Sequence, residues 1–186
     1  MKKGLFLILM CLFSISSFAD NQCNFILNPD GTYSTIDGKD YIVIQEDTAK
    51  AETLYKMVKG NIMKMFKDPD LVMSESPYSS IKVRYVSDMI CPMKSSLTSF
   101  FDGQWEGYVN FLFEFKDGAI KVSAPIVEDD VWDSVGHYFF SSLIKKFFHK
   151  GKRTTNKKKA ARLGFMEDNM NNTINELLKL QKSDEW

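Results

Sequence analysis

From Gly107 to Val127 the chain alternates apolar and polar residues in two runs separated by Asp-Gly: GYVNFLFEFKDGAIKVSAPIV. Asp-Gly favours the two-residue type I′ hairpin turn, which sets a register of Lys116 with Ala119, Phe115 with Ile120, Phe113 with Val122, Phe111 with Ala124 and Val109 with Ile126. The apolar pairs from Phe115 outward then share one dry face. The opposite face carries Tyr108, Asn110, Leu112, Glu114, Lys121, Ser123, Pro125 and Val127, a mixture of apolar and polar groups.

The other elements follow from their periods. Tyr41 to Ile44 is a short β-branched run suited to a strand. From Asp47 or Thr48 to Phe66 the apolar positions Ala51, Leu54, Tyr55, Val58, Ile62, Met65 and Phe66 recur at helical spacing, and Asp68-Pro69 closes that helix. Strands are expected over 71–75 and 81–90, the second alternating Ile81, Val83 and Tyr85 with Lys82, Arg84 and Val86. The run CPMKSSLTSFFDGQW from Cys91 to Trp105 has no period and reads as a loop. Beyond Val127, Glu128, Asp129, Asp130 and Asp133 lead into a helix expected from about 134 to 149, and a last helix is expected from about 155 to 181. Residues 20–40 read as a lead-in arm that packs by Phe25, Ile26 and Leu27.

The first residues, MKKGLFLILMCLFSISSFAD, have the charged start, short apolar run and small-residue end of a secretory signal peptide, with cleavage expected after Ala19. The expected organisation is 1–19 signal, 20–40 arm and 41–181 a single domain, with the protein in the periplasm or at the cell surface. Cys11 raises a lipoprotein alternative, although Leu9-Met10 lacks the small residue expected before a lipidated cysteine. No later run is long and apolar enough to span a membrane. Lysine plus arginine equal aspartate plus glutamate at 24 each, and removal of Lys2 and Lys3 leaves the chain close to neutral, so the balance does not suggest a nucleic-acid partner. Cys23 and Cys91 remain after cleavage. Export permits a disulfide between them, worth about 4 kcal/mol for so long a loop, and the other reading is two thiols with no shared geometry.

The order strand, long helix, four antiparallel strands, helices gives an α+β fold: one curved antiparallel sheet covered on one face by the first helix and the C-terminal helices. At the stretch DGKDYIVIQEDTAKAETLYKMVKGNIMKMFKDPDLV, with the strand-turn-strand FEFKDGAIKVSAPI and the helix MNNTINELLKL, the chain resembles a family of exported Bacteroidetes proteins, domain of unknown function 4468, over roughly residues 33 to 181. The resemblance implies a fold like that of the TATA-box-binding protein and an exported location. Its motifs are core and turn residues, so it supplies no catalytic residue and no cofactor; the run from Cys91 to Trp105 is less typical of it. A DNA-binding saddle would need basic and wedge residues on the open face, which here carries Glu114, Asp88 and Asn110 beside Lys82 and Arg84.

The open sheet face is the leading candidate site. Tyr41, Val43, Val86, Tyr108, Leu112, Pro125 and Val127 lie there among charges, a composition that suits an envelope protein, peptide or glycan. The competing reading is that the arm, the 91–105 loop or a second copy in a homodimer covers it. A second candidate joins an aromatic tip (Phe100, Phe101, Trp105) to the basic run Lys145 to Arg162, for peripheral contact with anionic membrane or glycan. Asp129, Asp130, Asp133 and His137 are too few and too open for a metal centre by their types alone, and an acidic first helical turn accounts for them, so no metal is assigned. Neither His137 nor His149 sits in a nucleophile setting, and the carboxylate pairs Glu106–Glu114 and Asp88–Glu114 are of a kind any strand-rich domain offers, so the expectation is a binding module and not an enzyme. Asp47-Thr48-Ala49 and Asp133-Ser134-Val135 match an O-glycan acceptor pattern and also read as helix N-caps.

Overall fold

The computed structural model describes residues 22–92, 104–134 and 136–179. The expected signal peptide, most of the loop after Cys91 with Phe100 and Phe101, and Val135 lie outside the described residues.

Two antiparallel strands begin the chain, β1 (Ile26–Leu27) and β2 (Tyr33–Ser34). Then come β3 (Tyr41–Gln45), α1 (Ala51–Met65), α2 (Pro69–Val72), β4 (Met73–Ser76), β5 (Ser80–Pro92), β6 (Gln104–Lys116), β7 (Ala119–Ser123), β8 (Ile126–Trp132) and β9 (His137–Phe139). The chain continues through α3 (Phe140–Ile144), a 3-10 turn (Lys145–Phe147), the hairpin β10 (Phe148–His149) and β11 (Lys152–Arg153), and α4 (Lys157–Leu178). The seven-stranded sheet runs β3-β7-β6-β5-β4, with β8 on the β7 side of β6 and β9 beside β8. The architecture is α+β: a strongly curled antiparallel sheet with α1 and α4 packed on one face.

The hairpin forms around Asp117-Gly118 with Lys116, Phe115 and Phe113 facing Ala119, Ile120 and Val122, as its turn chemistry requires. Gly118 takes φ +77°, which glycine adopts freely. Beyond Val122 the expected register fails. From Phe113 to Asn110 β6 advances three residues while its partner advances four, from Val122 to Ile126. The extra residue falls beside Pro125, which has no N–H for the ladder, while Ala124 N–H turns away to donate to Asp40 O at 2.8 Å. Val109 therefore pairs with Val127 and not Ile126; Val127 is buried and Ile126 is 62% exposed, the reverse of the expected facing. Further shifts occur between Gly107 and Val109 against β8 and between Ser87 and Cys91 on β5, and each such bulge adds bend and twist. At Gly107 the sheet closes so tightly that an added Cβ would meet Ile90 Cδ1 and Val131 Cγ1 at 2.9 Å.

Val109, Phe111, Phe113 and Phe115 form the buried centre, with Ile81 and Val83 of β5, Leu54, Val58 and Ile62 of α1, and Leu163, Met166, Met170 and Ile174 of α4. The helix α1 begins later than its apolar spacing suggests, because Asp117 in the β6–β7 turn accepts from Ala51 N–H at 3.0 Å and fixes the first turn from across the sheet. Thr48 therefore lies in an exposed turn and caps nothing. The strand expected at Leu71 starts at Met73, after the short α2 that Pro69 initiates. The helix expected over 134–149 is the larger correction: Asp133 to Gly136 makes a tight hairpin turn closed by Asp133 N–H to Gly136 O at 3.0 Å, and 137–139 pairs with β8. Exposed Ser134 is a turn residue, and helix survives there only over Phe140–Ile144.

The arm is fixed on α4. Its alternate residues Cys23, Phe25 and Leu27 are buried, and their N–H groups donate to Asn175 Oδ1 (2.7 Å), Asn171 Oδ1 (2.8 Å) and Glu167 Oε1 (2.6 Å). Asn175 and Asn171 also donate Nδ2–H to Cys23 O and Phe25 O. Four helical residues rise about 6.0 Å and two strand residues about 6.6 Å, so side chains spaced by four on α4 match amides spaced by two on the arm. The helix thus serves the arm as a strand would.

Cys23 and Cys91 are held as buried thiols. Cys23 is tied to Asn175, whereas the charge of Arg162 acts on Cys91. Burial pushes the Cys23 thiol up to about 12 and the Cys91 thiol up to about 11, with Arg162 opposing the rise at Cys91.

Candidate functional site

The outer face of the sheet is where the expected residues meet. Val86 pairs with Tyr108, Arg84 with Asn110, and Lys82 with Leu112 across β5 and β6. Tyr41 and Val43 stand opposite Ser123 and Lys121 across β3 and β7. Tyr41 (37%), Val43 (39%) and Val86 (46%) are exposed, and Tyr108 and Leu112 are half-buried. Pro125 departs from expectation: it is buried at the break between β7 and β8. The first part of the arm, Cys23 to Leu27, docks on α4 and not on the outer face.

Polar groups on this face are organised around Arg84. Its Nε and Nη2 donate to the two carboxylate oxygens of Glu128 at 2.7 and 2.9 Å, and its guanidinium lies 3.6 Å from the Tyr108 ring centroid. Asn110 Nδ2–H donates to the same Glu128 at 3.1 Å. Arg84 and then Asn110 hold the Glu128 carboxyl below its ordinary range, against a partial opposing effect of burial. Trp132 packs edge-on against Tyr108 with centroids 5.9 Å apart and donates Nε1–H to Glu106 at 3.1 Å. Farther along, Lys121 pairs with Glu114 at 2.7 Å and lies over the Tyr41 ring. The result is a preordered patch of aromatic and ion-paired groups with exposed Val43, Val86 and Ile126 among them.

Beside the patch, the interrupted ladder between Val122 and Ile126 opens a cleft of about 890 Å³. The Asp30–Tyr33 turn, Asp40, Asn110, Leu112, Pro125 and Ser141 contribute to its walls. Lys82 is its lysine, against Asp30, Asp40, Glu128 and Asp129. Leu112, Ala124 and Pro125 give its lining an apolar part beside these acidic groups.

Sequence reasoning missed Glu128, Ile126 and Trp132 as members of this face, since strict alternation carries no sign of the inserted residues. Pro125 was the available signal for the first of them. Other proposed constellations come apart. Trp105 is buried and belongs to the core rather than to an exposed tip. Glu106 and Glu114 sit eight residues apart on one strand, about 27 Å, each with its own partner. Asp129 accepts from Ser141 N–H, Asp130 contacts His137 Nδ1, and Asp133 accepts from Gly136 N–H, so these side chains serve turns rather than a common centre. No group of three or more His, Cys, Asp or Glu poised around one point occurs among the described residues.

Against known proteins, no family model and no curated protein matches the chain. A crystal structure of a DUF4468 family protein from Bacteroides ovatus ATCC 8483 superposes over 76% of this chain and 86% of that one, with a TM-score of 0.50. This chain has the DUF4468 fold. Identity over the match is 11%, so the likeness is one of fold, in agreement with the resemblance seen in the strand and helix motifs. No described helix is long and apolar enough to cross a membrane.

Proposed function

We propose that the chain is an exported, non-enzymatic binding module that recognises an envelope protein or peptide through the outer sheet face and the adjoining cleft. The carrying observation is that Arg84 is fixed in advance by Glu128 and Tyr108 in the middle of a face that no described element packs over. A preordered arginine and aromatic pair loses little freedom on association, and such groups dominate interface energetics. Arg84 and Lys121 are each neutralised within the face, which argues for a protein surface and against a phosphate backbone.

Quantitative affinity capture from envelope extracts tests the reading, with the chain compared with Tyr108→Ala and with Lys64→Gln, which lies at the exposed end of α1. Proteins retained by the parent and by Lys64→Gln, but lost at least tenfold with Tyr108→Ala, support it. Equal recovery by all three refutes it.

A further inference from the structure

Elsewhere among the described residues, Lys39, Lys50, Lys56, Lys59, Lys121 and Lys179 each contact a carboxylate. One region of the helix layer differs. Lys146, Lys150, Lys152, Lys157, Lys158 and Lys159 are all exposed, and none of them forms an ion pair among the described residues. Arg153 beside them is engaged by Glu167. The group is drawn together by structure, since Lys159 Nζ donates to Lys146 O at 3.0 Å and the β10–β11 hairpin is anchored through half-buried Phe148.

Two local preferences are broken here, both in favour of positive charge. The hairpin turn Lys150-Gly151 has φ +50° and +75°, and the first of these positions favours Asn, Asp or Gly. A lysine there accepts left-handed strain. In addition, Lys157 to Lys159 form the first turn of α4, which contains no acidic residue, although the helix dipole favours acids and opposes cations at that end. Independent departures that converge on one surface are expected where function outweighs local stability.

We propose that this lysine lip docks the protein on an anionic phospholipid surface. Its elements form an exposed hairpin tip and helix start, which suits a plane of headgroups. Point-charge lysines add together on such a plane, whereas bidentate recognition of single phosphates would use arginine. Phe147 is buried and Phe148 half-buried, so among the described residues neither phenylalanine of the lip offers an open platform on which sugars or bases stack. The surface does not involve the outer sheet face, and the inference stands independently of the recognition proposed there.

Co-sedimentation tests it, using phosphatidylcholine vesicles with and without phosphatidylglycerol, at about 0.05 M and about 0.5 M salt. The expected result is binding to the anionic vesicles alone, reversed by salt. At about fivefold per lysine, Lys157→Gln/Lys158→Gln/Lys159→Gln should weaken partitioning roughly a hundredfold, while Lys56→Gln/Lys64→Gln/Lys67→Gln changes it far less. Lys150→Asn provides a variant that cannot be dismissed as misfolded: it relieves the left-handed strain, so its melting midpoint should rise while partitioning falls about fivefold. Equal binding to neutral vesicles, or unchanged partitioning in the triple-lysine and Lys150→Asn variants, overturns the proposal. Retention on a soluble acidic polysaccharide without vesicle binding overturns it in favour of a glycan.

Discussion

The ladder between α4 and the arm makes Asn171→Ala the most informative change to the fold. Asn171 is buried, accepts from Phe25 N–H at 2.8 Å and donates to Phe25 O at 2.9 Å, and Phe25 is wholly enclosed. Truncation leaves one buried donor and one buried acceptor unmade. Each such group costs about 1–3 kcal/mol, so the loss for the two is about 2–6 kcal/mol if the arm stays in place. That is a large part of the ~5–15 kcal/mol that holds a domain together. The arm has a cheaper response, which is to detach locally and hydrate its amides at the expense of burying Phe25 and Leu27. The two responses differ in assay. Urea unfolding reads the global loss, and native-state hydrogen exchange at Phe25 and Leu27 reads detachment, expected to accelerate at least about thirtyfold for a 2 kcal/mol opening. Asn171→Asp separates the two bonds, since the carboxylate accepts from Phe25 N–H but has no proton for Phe25 O. If Asn171→Ala leaves both the urea midpoint and the exchange of Phe25 unchanged, the ladder contributes nothing and the matching of helix and strand rises is coincidental.

Three further outcomes follow from the same structure. Phe113→Ala, at the fully buried centre of β6, should lower stability by about 3–5 kcal/mol in urea unfolding, and an unchanged midpoint would contradict the facing of the sheet. Tyr33 Oη is buried with no hydrogen-bond partner among the described residues, so Tyr33→Phe should raise the urea-derived stability by about 1 kcal/mol or more, and a loss of that size would mean the hydroxyl is bonded. Lys59 and then Tyr55 hold the Glu75 carboxyl below its ordinary 4.5, and Arg84 does the same for Glu128; folded-state values below the unfolded ones give stability that is present above pH 4.5 and lost as pH falls through the lowered values. Thermal midpoints should therefore decline on acidification below about pH 4.5, with a flatter decline in Glu75→Gln/Glu128→Gln, and parallel curves would show that these pairs do not set the acid response.

What the sequence disclosed and what it hid have separate physical causes. Asp117-Gly118 dictated a local turn, and alternation carried its register correctly to Val122, because pairing near a two-residue turn is settled by neighbours alone. The apolar stripes of α1 and α4 likewise reported burial on one side. The failures lie where tertiary contacts override period. Pro125 lets the edge of β6 pass from β7 to β8 with a residue inserted, which moves Ile126 out and Val127 in. The turn at Asp133–Gly136 pairs β9 with β8 in a stretch whose apolar spacing suits a helix. Asn171, Asn175 and Glu167 look like polar surface of α4, yet they are the groups that bind the arm. At the outer face, Tyr41, Val86, Tyr108 and Leu112 were legible as one surface from alternation, whereas Glu128 and Trp132 arrive there only through bulges.

Recognition by the outer face is most directly tested by site-specific photo-crosslinking in living cells from Leu112, which is half-buried at the edge of the cleft, with exposed Lys116 as the control. Mass spectrometry of the adducts gives the answer. A discrete partner joined to Leu112, absent from Lys116 and abolished by Tyr108→Ala is the result the account predicts. Crosslinks from Leu112 that return only to this same chain would show the face closed upon itself and contradict it.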